Sequence, residues 1–222
     1  CGRPIVLSVS PGRTPADRAG HVKRHANMWR LVGDVWDRWG DIRALFDVCS
    51  QWQGHIGGGS WPDCDMLPLG RIGVRAERGP DRMCRLSQNE QRVVMTLFCI
   101  FKSPLMFGGD MPSLDGFTES LLTNSSVLRM HSRGDGVREL RKDAETSVWT
   151  SKNPDTGETY LAVFNISDDG GPREIGVALS DMGFSGGVCG VEMWTNEKVR
   201  FKGSVSVALR GRHCALFSLK PE

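Results

Sequence analysis

Gly57-Gly58-Gly59-Ser60-Trp61-Pro62-Asp63-Cys64-Asp65-Met66-Leu67-Pro68-Leu69-Gly70 places three glycines ahead of a segment in which two carboxylates stand one residue apart, between an indole and a thioether. Glycine takes positive φ without steric cost, so the run marks a turn that delivers the chain into an extended segment where binding groups are displayed. Residues at i and i+2 of an extended segment share a face, so Asp63 and Asp65 can address one ligand or one cation. No further oxygen ligands stand at useful spacing, and no metal site is expected. Two readings remain open. The acids cap amides of a glycine turn, or they belong to a pocket whose apolar wall is Trp61 and Met66, as suits a sugar-sized ligand.

Upstream, Pro4-Ile5-Val6-Leu7-Ser8-Val9-Ser10 ends at Pro11-Gly12 and predicts a buried strand. Residues 14–27 read as loop with a short helix. Met28-Trp29-Arg30-Leu31-Val32 predicts a second strand, and Val35, Trp36, Trp39, Ile42, Leu45 and Phe46 recur at helical spacing over residues 35–48. Asp34 falls between these elements with Arg30 close by, either as the N-cap of the helix or as a site acid.

Downstream of the quoted stretch an arginine-rich connection spans residues 71–85. Ser87-Gln88-Asn89-Glu90 has the form of a capping box, and Val93, Val94, Leu97, Phe98 and Phe101 continue it as a buried helix. Pro104 to Phe107 predicts a strand leading into Gly108-Gly109-Asp110, where Asp110 reads first as a turn acid, and residues 114–122 are helical. This alternation of strand and helix implies a parallel sheet with chemistry at the C-terminal strand ends. Four strands make half of a closed eight-stranded barrel.

The texture then changes. Residues 131–143 read as a polar, turn-rich linker, and residues 144–222 as short runs separated by Asn-Pro-Asp-Thr-Gly and Gly-Gly turns, the pattern of an antiparallel β domain. The expected architecture is therefore α/β over residues 1–130 followed by an all-β domain.

Composition bounds the function. With 222 residues, 39% hydrophobic content and a formal net charge of +2 of interspersed sign, the chain is expected to be globular, without a nucleic-acid partner. No apolar run reaches the ~18 residues of a membrane span. Seven widely spaced cysteines without a CxxC pair predict neither a zinc site nor a disulfide framework, and Cys99 and Cys214 lie in apolar runs as small core residues. The sequence starts at Cys1, reading straight into a strand, so a preceding N-terminal portion is expected.

Ile5-Val6-Leu7-Ser8, Met28-Trp29-Arg30 followed by Asp34, Gly59-x-Trp61-x-Asp63-x-Asp65-Met66 and Ser103-Pro104-Leu105-Met106, in this order, resemble the second half of glycoside hydrolase family 27, the α-galactosidases and α-N-acetylgalactosaminidases. The resemblance implies strands five to eight of a (β/α)₈ TIM barrel followed by the family's C-terminal antiparallel β-sandwich. It implies a retaining exo-glycosidase cleaving terminal α-galactosyl residues without a cofactor, in which Asp34 is the general acid/base. Arg30, Asp65 and Met66 would hold the sugar, with Trp61 and Asp63 around them, Asp63 as the acid that fixes the loop. Ser10 would stand where other members carry a glutamate that reads the 2-hydroxyl, an arrangement similar to that of N-acetylgalactosaminidases.

The family's nucleophile lies in a Lys-x-Asp segment on the fourth strand, upstream of Cys1, so the chain is expected to hold half an active site and to need the N-terminal half-barrel. Alternatives are a family glycosidase acting on α-N-acetylgalactosaminides, β-L-arabinopyranosides or α-glucosides, or a non-catalytic sugar-binding remnant. The resemblance suggests a secreted, periplasmic or lysosomal protein.

Overall fold

Residues 2–76 and 78–222 are described by the structure, a computed structural model. In chain order the first part comprises β1 (Ser8–Val9), α1 (Ala19–His25), β2 (Met28–Arg30), α2 (Trp39–Trp52), β3 (Trp61–Asp63), β4 (Met66–Leu67), the hairpin of β5 (Arg71–Ile72) and β6 (Arg82–Met83), α3 (Gln88–Phe101), β7 (Met106–Phe107), α4 (Gly116–Leu122) and α5 (Ser125–Arg133). β1, β2 and β3 pair in parallel in that order, and β4 pairs in parallel with β7. β3 and β4 are one path interrupted at Cys64-Asp65, where Asp65 has φ 83°. The interruption lets the path exchange one neighbour for another, so the four parallel positions form a continuous arc from β1 to β7.

Two helix starts follow from where backbone N–H groups find partners. At α3 the capping box forms as the sequence requires: Ser87 N donates to Glu90 Oε2 at 2.7 Å and Glu90 N to Ser87 Oγ at 3.3 Å. At α2 the helix begins at Trp39, four residues later than the apolar spacing suggests. The segment before it is held by carboxylates instead: Val35 N donates to Asp65 Oδ2 at 2.6 Å and Trp36 N to Asp41 Oδ2, from within the helix, at 3.1 Å. Asp34 is thus no N-cap.

The expectation of a buried strand over residues 4–10 is corrected. Only Ser8–Val9 is a strand, and Ile5, Val6 and Leu7 are 65%, 69% and 49% exposed. Among the described residues β1 pairs on one side alone, with β2, and the apolar side chains before it have nothing opposite to cover them.

The second part comprises β8 (Asp135–Lys142), β9 (Thr146–Lys152), β10 (Thr159–Asn165), β11 (Arg173–Ala178), β12 (Val188–Glu192), β13 (Lys198–Phe201), β14 (Ser204–Leu209) and β15 (His213–Pro221). Six of these form an antiparallel sheet in the order β13-β12-β15-β10-β9-β8, and β11 with β14 forms a second layer. Residues 131–143, expected as a linker, instead hold the end of α5 and the whole of β8, which pairs with β9 through two register irregularities. Charged residues dominate this edge strand and hid its pairing.

Neighbouring residues of β10 point to opposite cores. Tyr160, Ala162 and Phe164 join the cluster built on α2 and α3, where Phe46 meets Phe164 edge-on at 5.0 Å, while Leu161 and Val163 join the interior of the sandwich with Ile175, Val177 and Val205. Both faces of β10 are buried, and its run of apolar residues reflects that.

Candidate active site

The exit of β2 and the break between β3 and β4 bring three charged side chains together. Arg30 Nη2 lies 2.7 Å from Asp65 Oδ1, and Arg30 Nη1 lies 3.6 Å from Asp34 Oδ1. Asp65 is locked on both oxygens, since its Oδ2 accepts from Val35 N. Asp34 differs: its side chain is 56% exposed, against 10% for Asp65, and its other oxygen meets Arg78 Nη2 at 3.1 Å.

These groups border a cleft of about 600 Å³ that is also lined by Met66, Gly108, Gly109 and Asp110. The glycines are required by contact. A Cβ on Gly108 would overlap Met66 Sδ, and one on Gly109 would overlap the Leu69 carbonyl. The β7 exit therefore approaches Met66 as closely as backbone can.

Asp63 lies beneath the cleft, accepting from Asp65 N at 2.9 Å and so holding the strained turn. Burial pushes the Asp63 and Asp65 carboxyls above the usual carboxylate range, against the opposing pull of the Asp65 N–H and Arg30 on the first and of the Val35 N–H and Arg30 on the second.

Of the residues singled out from the sequence, Arg30, Asp34, Asp65 and Met66 converge on the cleft, and Asp110 joins them. Trp61 does not. It stands at the entry end of β3, in a separate hollow with Met28, Pro104 and His131, and the Lys102 ammonium lies 5.6 Å from its ring centroid. Strand direction explains the separation, because Asp65 lies past the exit of the strand that Trp61 begins. Ser10 is exposed just beyond β1 and does not line the cleft.

Sequence reading placed Trp36 on the apolar face of the helix, whereas it precedes α2 and lines the cleft, and it passed over Asp37. An adjoining cleft of about 410 Å³ is lined by Asp34, Trp36, Asp37, Arg38, Arg78, Arg82 and Arg85. Asp37 is almost fully buried, accepts from Arg82 Nε at 3.0 Å and Arg85 N at 3.0 Å, and its carboxyl is held below the ordinary value by these partners in spite of its burial. The signal was the arginine run over residues 71–85, whose five arginines outnumber its two acids, so that further counter-charge had to come from elsewhere in the chain.

Residues 1–132 match the family model described as "Alpha galactosidase A", and residues 143–219 match "Alpha galactosidase C-terminal beta sandwich domain". The chain belongs to glycoside hydrolase family 27. A solved family 27 member, a β-L-arabinopyranosidase from Geobacillus stearothermophilus, is 42% identical, with a TM-score of 0.95 over 100% of this chain and 51% of that one. An Oryza sativa α-galactosidase is 27% identical over 93% of this chain and 46% of its own length, and human α-galactosidase A 28% identical over 73% and 36%. The chain thus spans between about a third and a half of the length of these relatives. The arc of parallel strands is the second half of the family's (β/α)₈ barrel, and the antiparallel layers are its β-sandwich.

Proposed function

We propose that this chain supplies the sugar-holding and proton-donating half of a retaining exo-glycosidase that removes terminal α-galactosyl residues. The observation that carries the reading is the Arg30 guanidinium, which faces Asp65 with one nitrogen and Asp34 with the other at the strand exits. Asp65, with Met66 beside it, presents fixed acceptors to sugar hydroxyls. Asp34, exposed to the cleft, protonates the departing oxygen and afterwards takes a proton from water.

Retention needs a second carboxylate about 5 to 5.5 Å from the first, on the opposite side of the anomeric carbon. Asp65 is a poor candidate, because both its oxygens are already engaged, by Arg30 and by Val35 N. The nucleophile is assigned to the part of the barrel that the relatives possess and these 222 residues do not span.

A second reading is favoured by the 42% identity to the Geobacillus stearothermophilus arabinopyranosidase. A β-L-arabinopyranoside matches an α-galactoside in ring configuration and lacks the exocyclic hydroxymethyl group. A panel of 4-nitrophenyl glycosides on the full-length gene product tests both readings. Highest kcat/KM on the α-galactoside supports the first, on the β-L-arabinopyranoside the second, and absence of turnover on every member overturns the assignment as a glycosidase.

A further inference from the structure

Among the described residues, the cleft beyond Asp34 carries cations that its acids do not answer. Arginines stand at positions 71, 75, 78, 82 and 85 along the β5–β6 hairpin and its exit. Arg71 is held by Asp81, Arg78 by Asp34 and Arg82 by Asp37, and Arg38 on the facing loop is held by Asp41. Arg75 and Arg85 are exposed and have no carboxylate partner among the described residues; Arg85 uses only its backbone N–H, to Asp37.

Position gives these two a direction. Arg75 opens on the cleft that contains Arg30 and Asp65, and Arg85 on the adjoining one. Asp34 and Trp36 line both. If Arg30 and Asp65 grip the terminal sugar and Asp34 protonates the bond to be cut, the space lined by Asp34 but not by Arg30 or Asp65 receives the departing group. That space has an indole wall and a spare guanidinium. The described acids lining it, Asp34 and Asp37, face Arg78 and Arg82, and Asp110 on the other side accepts from Ser113 Oγ.

We infer that the departing group is anionic, a sugar bearing a carboxylate or a sulfate ester, which lies against Trp36 and pairs with Arg85, with Arg75 at the rim. This rests on the glycosidase reading above. The guanidinium fork matches the oxygen geometry of either anion. Because both arginines are exposed, the gain is modest and salt-dependent.

The test compares 4-carboxyphenyl and 4-carbamoylphenyl glycosides of the preferred sugar, with a 4-sulfooxyphenyl glycoside as a third arm to separate carboxylate from sulfate. The readout is the charged-to-neutral ratio of kcat/KM in the full-length gene product, in Arg75→Ala/Arg85→Ala and in Arg85→Glu. Taking the ratio of parent to variant cancels the intrinsic reactivity of the leaving groups. We expect the ratio to fall about fivefold in the double alanine variant, further in Arg85→Glu, and towards the variant's value when the parent is assayed in 0.5 M salt. Ratios unchanged in both variants, with the neutral glycoside still cleaved, overturn this inference and leave the glycosidase reading intact. Absence of cleavage of all three glycosides by the parent overturns both.

Discussion

Arg30 Nη2 sits 2.7 Å from Asp65 Oδ1 while Asp65 Oδ2 accepts the Val35 amide, so one carboxylate ties the exit of β2 to the loop that carries Asp34. In the proposed function, sugar binding and placement of the proton donor are therefore mechanically joined. Arg30→Lys keeps the charge but removes the planar fork that spans both acids. The expected result is a fall in kcat/KM of at least tenfold, about 1.4 kcal/mol, with a smaller effect when Asp65 is already Asn. A double-mutant cycle in which the two losses simply add would disprove the joining.

For the proposed reaction, Asp34→Ala tests proton donation apart from binding. On a disaccharide, whose leaving group needs the proton, turnover should drop by about 10² to 10⁴. On a 2,4-dinitrophenyl glycoside, whose leaving group does not, the loss of the bond-cleaving step should be far smaller. Equal losses on the two substrates would remove the acid/base role from Asp34.

Asp37 and Arg82 hold the arginine hairpin against the loop after β2. Breaking a buried pair by removing one partner costs about 3 kcal/mol or more, so Asp37→Asn should lower stability clearly at neutral pH. The folded carboxyl titrates below its ordinary value, so its contribution is present above ~3.9, the unfolded value, and is lost as pH falls through the lower folded one. Chemical denaturation at a series of pH values should show the parent and Asp37→Asn curves converging on the acid side; a constant gap would contradict the assignment.

Gly108→Ala places a methyl group where Met66 Sδ lies. Met66 must leave the cleft wall or β7 must shift, and overpacking of this kind costs about 1 to 3 kcal/mol. We expect a raised KM with a smaller change in kcat. A KM equal to that of the parent would mean that Met66 does not contact the sugar.

Exposed Ile5, Val6 and Leu7 adjoin β1, and Met106, 55% exposed, lies on β7 at the other end of the arc. Unpaired strand edges with apolar flanks associate. Purified as the 222-residue polypeptide, the chain should sediment as more than a monomer, and Ile5→Thr/Val6→Thr should shift it towards monomer. A parent that sediments as a monomer at micromolar concentration would refute this.

The elements whose cause is local were legible in advance. Ser87 and Glu90 announce α3 because both halves of the cap lie within one turn. Strand, helix and acid succession announced the half-barrel, and Arg30, Asp34, Asp65 and Met66 announced the cleft. What escaped depends on distant partners. The segment before α2 is tied to Asp65, thirty residues downstream of Val35, whose carboxylate accepts that amide. β8 was hidden because its charged residues pair along an edge, where no alternation is demanded. Trp61 was misplaced because spacing along an extended segment fixes the face of a side chain but not the end of the strand to which it belongs, and Asp37 passed unnoticed because its arginine lies beyond the intervening helix and loop.

β10 turns Tyr160, Ala162 and Phe164 towards one hydrophobic interior and Leu161 and Val163 towards another. The two matched family segments are consequently separable as text but not as matter. A graft that exchanges this β-sandwich for a relative's would have to carry the facing side chains of α2 and α3 with it. Modularity, for this protein, ends at the plane of one strand.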